Sequence, residues 1–105
     1  MAIQNFGDKI EYQDDCWILP VSLTHDLLGQ EWQALCNKMP RSGSWHLDAQ
    51  RLQEIDSSTL SFLLECLRSA KRHAVDLKIS ALSQKIKALL GVYGVAHLFE
   101  KIIKD

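Results

Sequence analysis

One stretch near the middle of the chain decides the fold: residues 44–64, which read SWHLDAQRLQEIDSSTLSFLL. In its first part, 44–49, polar and apolar side chains alternate, which is typical of a β-strand with one buried face. Its second part starts with Asp56-Ser57-Ser58, residue types that favour a helix N-terminus, and continues with apolar residues at helical spacing to about Lys71. The two parts predict a strand followed by a long amphipathic helix, the building unit of an α/β fold.

The sequence before this stretch predicts a hairpin and a first helix. Residues 9–19 contain two short strand-like runs on either side of Asp14-Asp15, which is a turn signal. Thr24 is placed to cap a helix that ends at residues 40–43, where Pro and Gly stand. The chain therefore enters residue 44 after a β-β-α unit.

The sequence after the long helix predicts one strand and two helices. Residues 75–79 alternate as a strand does, and Ser83 is placed to cap a helix that Gly91 and Gly94 end. Residues 95–103 repeat apolar side chains at helical spacing and predict a last amphipathic helix. The predicted order is thus β-β-α-β-α-β-α-α.

This order predicts a single α/β domain over residues 1–105. Strands that alternate with helices need crossover connections, so most strand pairs should be parallel. We expect a mostly parallel sheet of four to five strands with an N-terminal hairpin strand, covered by about four helices around one hydrophobic core. The predicted core residues are Ile18, Leu28, Leu47, Leu63, Leu67, Leu77, Ile79 and Leu98.

Charge and hydropathy argue against two classes of partner. The chain has 12 Lys and Arg against 13 Asp and Glu, and the basic residues are scattered, so no nucleic-acid partner is predicted. No apolar run approaches the roughly 20 residues of a membrane span. Residues 1–6 also lack the basic start and apolar run of an export signal. We therefore expect a cytoplasmic protein without direct membrane insertion.

The residue types of catalytic and metal sites are present, but their spacing is not that of a site. There is no GxxxxGKS/T or GxGxxG loop for a nucleotide, and the histidines fall in different elements without a close ligand pair. Cys16, Cys36 and Cys66 form an odd set without CxxC spacing, interpreted as small buried residues in a reducing compartment. Cys66 with a distant His is the one nucleophile to consider, and its apolar helical surroundings argue against it. We predict no enzyme activity, no cofactor and no metal.

Residues 55–64 form the candidate functional segment, because four small polar or acidic residues follow one another there. One interpretation is structural: Asp56 or Ser57 caps the helix and contributes about 1 kcal/mol. The other is functional: hydroxyls exposed at the helix start are available to a partner, and a phosphate on Ser57 or Ser58 would meet the positive end of the helix dipole. Both hold if the cap fixes the backbone and the neighbouring hydroxyls stay at the surface.

Three stretches of the chain resemble STAS domains, the family named after sulfate transporters and anti-sigma factor antagonists. Residues 45–48 and 52–60 are similar to its strand and signature loop, an apolar strand ending in Asp, then a short link and Asp-Ser-Ser-Gly-Leu. Residues 77–99 are similar to its C-terminal half, a strand and helix before a Gly-apolar-x-x-Leu-Phe ending. Thr59 stands where the family usually has Gly, which makes the loop bulkier.

The resemblance implies a binding module and not an enzyme. With Glu31-Trp32-Gln33 in its first helix, the chain looks most like the small cytosolic STAS subunit of the Mla phospholipid-transport system. That subunit binds the ATPase of an inner-membrane ABC transporter that maintains outer-membrane lipid asymmetry, so the implied partner is an ABC transporter ATPase subunit. The alternative is an anti-sigma factor antagonist, which binds a kinase and is switched off by phosphorylation of the second Ser of the motif, here Ser58.

On either reading the helix start is the predicted docking surface. The candidate phosphoacceptors are Ser58 and Ser57. The predicted partner-binding residues are Asp56, Ser57, Ser58, Thr59, Ser61 and Phe62.

Overall fold

The computed structural model describes residues 9–104 and confirms the predicted α/β fold. Strands and helices alternate after an N-terminal hairpin, as expected from the sequence. The elements are β1 (Glu11–Gln13), β2 (Cys16–Ile18), β3 (Ser22–Leu23), α1 (His25–Lys38), β4 (Ser44–Asp48), β5 (Glu54–Ile55), α2 (Ser57–His73), β6 (Asp76–Ser80), α3 (Gln84–Val92), α4 (Ala96–Phe99) and β7 (Ile103–Lys104).

The main sheet has five strands in the order β1-β2-β4-β6-β7. β1 pairs antiparallel with β2, and the other neighbouring strands are parallel. Each parallel pair is joined by a crossover that contains a helix, because parallel strands cannot be joined by a tight turn. A separate two-stranded parallel sheet, β3 with β5, was not predicted, since two residues are too few to show a period.

Most of the predicted core is buried, with two corrections. Ile18 is only partly buried because side chains alternate along β2, and the neighbouring Trp17 takes the inward position. Leu98 is 36% exposed, and the next residue, Phe99, is fully buried in its place. The predicted core residues that are buried are Leu28, Leu47, Leu63, Leu67, Leu77 and Ile79.

The C-terminal segment is not the single helix that the sequence predicts. α4 ends at Phe99, and Ile103 then pairs with Ile79 as part of β7. The backbone N–H of Ile79 also donates to the carbonyl oxygen of Ile102 at 2.7 Å. These hydrogen bonds satisfy backbone groups along the edge of β6. The spacing of apolar residues in 95–103 could not predict them, because they depend on a contact with a distant strand.

The break between α3 and α4 also differs from the prediction. Gly91 lies inside α3 and does not end it. Gly94 makes the break, with a φ of +75°, a backbone conformation that glycine adopts at little cost.

Candidate functional site

The starts of α1 and α2 lie side by side because of the small sheet. β3 pairs in parallel with β5, with Leu23 opposite Ile55. α1 begins two residues after β3, and α2 begins two residues after β5. Parallel pairing therefore brings the two helix N-termini together, although they are far apart in the sequence.

Asp56 caps both helices. Its Oδ1 accepts hydrogen bonds from the backbone N–H groups of Ser58 (2.9 Å) and Thr59 (3.4 Å) at the start of α2. Its Oδ2 accepts from the backbone N–H of His25 (3.0 Å), the first residue of α1. The sequence offered Asp56 or Ser57 as the cap of the long helix, and the structure shows that Asp56 is the cap. Thr24 occupies the N-cap position of α1 as predicted, but its side chain makes no capping hydrogen bond, and Asp56 supplies the acceptor.

The hydrogen-bond donors around Asp56 favour its charged form. The backbone N–H of His25 contributes most to holding the pKa of the Asp56 carboxyl below its ordinary value of 3.8. Partial burial opposes this by raising the pKa, while the N–H groups of Ser58 and Thr59 lower it further. A carboxylate here faces the positive ends of two helix dipoles, so its charge stabilises both helix starts.

Thr59 is an internal residue. Its hydroxyl accepts a hydrogen bond from the backbone N–H of Asp56 (3.0 Å) and donates one to the carbonyl oxygen of Leu23 in β3. Its side chain is 1% exposed, and that of Phe62, on the next turn of α2, is 0% exposed. The prediction that Thr59 and Phe62 contact a partner is therefore wrong, because β3 and the core cover them. At the position where the resemblance to STAS domains implies Gly, the Thr59 hydroxyl ties α2 to β3.

Three serines form the accessible part of the predicted segment. Ser57 and Ser61 are exposed, and Ser58 is partly exposed. Ser61 Oγ donates a hydrogen bond to the carbonyl oxygen of Ser57 at 3.3 Å. Among the described residues, the side-chain hydroxyls of Ser57 and Ser58 have no hydrogen-bond partner. We refer to Ser57, Ser58 and Ser61 as the serine surface.

A groove of about 250 Å³ lies beside the serine surface, between α1 and α2. It is open to solvent, and we refer to it as the α1/α2 groove. Sequence reasoning missed it because its walls come from two segments that are distant in the sequence. The lining residues are His25, Leu28, Gly29, Trp32, Ser58 and Ser61.

The region around the two helix starts is acidic. The sequence has no Lys or Arg in residues 10–37 or 52–67. The His25 imidazole lies between two carboxylates, 3.2 Å from Asp26 and 3.2 Å from Asp56. The charged side chains of these two segments are therefore all acidic.

The three thiols are held in the protonated form. Burial raises the pKa of the Cys66 thiol well above 9.0. Burial, followed by nearby carboxylates, also raises the pKa of Cys16 and of Cys36. Cys16 Sγ lies 3.8 Å from His46 Nδ1, but a thiol with a raised pKa is a poor nucleophile. The expectation of burial holds for Cys66, whereas Cys16 and Cys36 are partly exposed.

The described part of the chain holds neither a group of metal ligands nor a membrane-spanning helix. Within residues 9–104, no three His, Cys, Asp or Glu side chains are grouped to hold a metal ion. In the same range, none of the helices combines the length and the apolar character needed to cross a membrane.

This chain is similar to known proteins both in sequence and in fold. A family model described as "Mlab, STAS domain" matches residues 21–103, which include both helix starts and the serine surface. A comparison with curated protein sequences finds no match. The crystal structure of a candidate anti-sigma factor antagonist from Thermotoga maritima is similar, with a TM-score of 0.60 and 20% sequence identity, over 90% of this chain and 81% of that chain. At this identity the likeness concerns the fold alone.

Proposed function

Because the chain belongs to the STAS domain family, we propose that it is a non-catalytic adaptor subunit of an ABC-type phospholipid transporter. In this role it binds and regulates the ATPase subunit of the transporter and so helps to maintain the lipid asymmetry of the outer membrane. It lies in the cytoplasm, peripheral to the inner membrane through its partner.

The observation that carries this proposal is the serine surface at the start of α2. Small side chains allow another protein to approach closely, and within residues 9–104 the hydroxyls of Ser57 and Ser58 have no partner that would compete with it. Asp56 and Thr59 fix the backbone beneath the two serines. Binding therefore loses little conformational entropy at this surface. The matching family model is described as "Mlab, STAS domain". The choice of a transporter ATPase as the partner follows from the resemblance to the STAS subunit of the Mla system.

Ser57→Asp and Ser58→Asp are each expected to weaken ATPase binding about tenfold or more. A larger charged side chain prevents close approach and loses hydration in the interface. The melting temperature should change little, because an acidic residue near a helix N-terminus is favourable by about 0.3–1 kcal/mol, and repulsion from Asp56 opposes this gain. Calorimetric titration of the purified ATPase subunit, with thermal melts of each variant, measures both quantities.

Ser83→Asp provides the matched control. The Ser83 side chain accepts a hydrogen bond from the backbone N–H of Ile86 (3.2 Å) at the start of α3, outside the serine surface. This variant makes the same chemical change at a helix start and should bind the ATPase like the wild type. Wild-type affinity in both Ser57→Asp and Ser58→Asp would rule out the serine surface as the docking site. Loss of both binding and folding would mean that these serines have only a structural role.

The alternative function is an anti-sigma factor antagonist switched by serine phosphorylation, with Ser58 as the first candidate acceptor and Ser57 as the second. The same unbonded hydroxyls favour it, and the fold neighbour from Thermotoga maritima is described in these terms. A phosphate on Ser58 would lie beside the Asp56 carboxylate, whose Oδ1 is 2.9 Å from the Ser58 backbone nitrogen. The added charge would repel Asp56 and change the docking surface.

Phosphorylation by a kinase separates the two functions. The chain is incubated with ATP and a purified GHKL-type kinase from the same organism, and intact-mass spectrometry counts the phosphates added. Transfer of one phosphate that Ser58→Ala abolishes would favour the antagonist. Absence of transfer, together with tight binding to the ATPase subunit, would favour the transporter adaptor.

A further inference from the structure

The α1/α2 groove has the shape of a receptor for a side chain. Leu28 is buried at its floor, and Trp32 is partly buried in its wall. Gly29 leaves the groove open, because a Cβ added there would meet nothing within 4 Å apart from its chain neighbours and the backbone of α1 itself. A volume of about 250 Å³ gives room for a large apolar side chain from outside. Such central pockets usually dominate the affinity of an interface.

The acidic side chains at the rim of the groove favour a positively charged binding partner. Asp26, with 88% of its side chain exposed, and Asp56 flank His25 at the mouth. No Lys or Arg occurs in residues 10–37 or 52–67, the two segments that contain the lining residues of the groove. An occupant that carries Lys or Arg beside its apolar anchor is attracted, whereas an anionic lipid surface is repelled.

We propose that the α1/α2 groove receives an apolar side chain from a basic segment of the partner protein, with a Lys or Arg of that segment facing Asp26 and Asp56. This inference rests on the proposed function, because the serine surface beside the groove is taken as the docking site. It adds the chemistry of the partner: one apolar anchor flanked by positive charge.

Gly29→Leu tests the groove without harming the fold. Leucine is a much better residue than glycine inside a helix, and the space around Gly29 is open, so the melting temperature should stay the same or rise. The leucine side chain would occupy the groove, and affinity for the purified ATPase subunit should fall at least tenfold. Gly91→Leu is the matched control, because Gly91 lies in α3 with equally open surroundings and outside the groove.

Charge reversal tests the rim. Asp26→Lys should reduce the affinity for the ATPase several-fold at low salt, with a smaller effect at high salt, because the rim attraction is screened. Glu100→Lys makes the same change of charge at an exposed position outside the groove and should leave the affinity unchanged. Equal effects of the two variants would mean that only the net charge of the chain matters and would overturn the assignment of the rim.

Trp32 reports directly whether the groove is filled. In the chain labelled with 5-fluorotryptophan, binding of the unlabelled ATPase should move the ¹⁹F resonance of Trp32, which Trp32→Phe identifies. The resonances of Trp17 and Trp45 should stay in place, since both residues are buried in the core.

The outcomes separate this inference from the proposed function. Binding with a shift of the Trp32 resonance, lost in Gly29→Leu, supports both. Binding of the wild type and Gly29→Leu with equal affinity and no Trp32 shift leaves the adaptor function standing and overturns the groove as its anchor. Absence of ATPase binding by the wild type overturns both. Binding to anionic vesicles that Gly29→Leu abolishes would replace the protein partner with a lipid surface.

Discussion

Thr59→Val is expected to lower the free energy of unfolding by about 3 kcal/mol, although valine has almost the same shape as threonine. The hydroxyl of Thr59 bonds two backbone groups, the N–H of Asp56 and the carbonyl oxygen of Leu23. Valine would leave both without this partner at a site that is 1% exposed, and an unmade buried hydrogen bond costs about 1–3 kcal/mol. For a domain of this size, the melting temperature should fall by more than about 10 °C.

Thr59→Ser is the control for this prediction. Serine keeps the hydroxyl and loses only the methyl group, so the expected loss is about 1 kcal/mol. Urea denaturation followed by circular dichroism gives the free energy of unfolding for each variant. If Thr59→Val were as stable as the wild type, neither the hydrogen bond from Thr59 to Leu23 of β3 nor the one from Asp56 to Thr59 at the start of α2 would contribute to stability.

Asp56→Ala is expected to lower the free energy of unfolding by about 2–3 kcal/mol, more than the loss of an ordinary helix cap. The reason is that one carboxylate accepts backbone N–H groups from two helices, at His25 in α1 and at Ser58 and Thr59 in α2. Asp26→Ala is the matched control: it removes another acidic side chain beside His25, but one that is 88% exposed. It should change the stability by less than about 0.5 kcal/mol. A loss no larger than one cap in Asp56→Ala would mean that α1 does not depend on Asp56.

The pH dependence of the free energy of unfolding should reveal how much the ionised Asp56 carboxylate stabilises the fold. Its pKa lies below 3.8 in the folded state, chiefly because of the His25 backbone N–H. A lowered pKa means that the ionised carboxylate stabilises the fold above the ordinary Asp pKa and that this contribution is lost as the pH falls through the folded value. Asp56→Asn keeps an acceptor for capping but does not titrate. The stability advantage of the wild type over Asp56→Asn should therefore shrink as the pH falls from above the ordinary Asp pKa through the lower folded value, and a difference that stays constant during this fall would contradict the assignment.

Much of the site was predictable because its signals are local. A run of residues that favour a helix N-terminus indicated where α2 begins and that Asp56 or Ser57 caps it, and Asp56 is the cap. The same run predicted that the hydroxyls of Ser57 and Ser58, which follow Asp56, lie at the surface where a partner can reach them. The burial of Thr59 and Phe62 could not be predicted in this way. A hydroxyl-rich helix start has the same sequence whether one of its faces is covered by a strand or left to solvent.

The sequence by itself determined the α/β class, the mostly parallel sheet with its hairpin strand, and the cap of α2, because hydrophobic period and capping residues act within one or two turns of the chain. Only the tertiary structure decided that β3 pairs with β5, that Asp56 also caps α1, and that an acidic groove opens between the two helices. It also decided that Ile103 belongs to a strand and not to a helix. These features depend on hydrogen bonds and packing between segments distant in sequence, and two-residue strands carry too little pattern to reveal them.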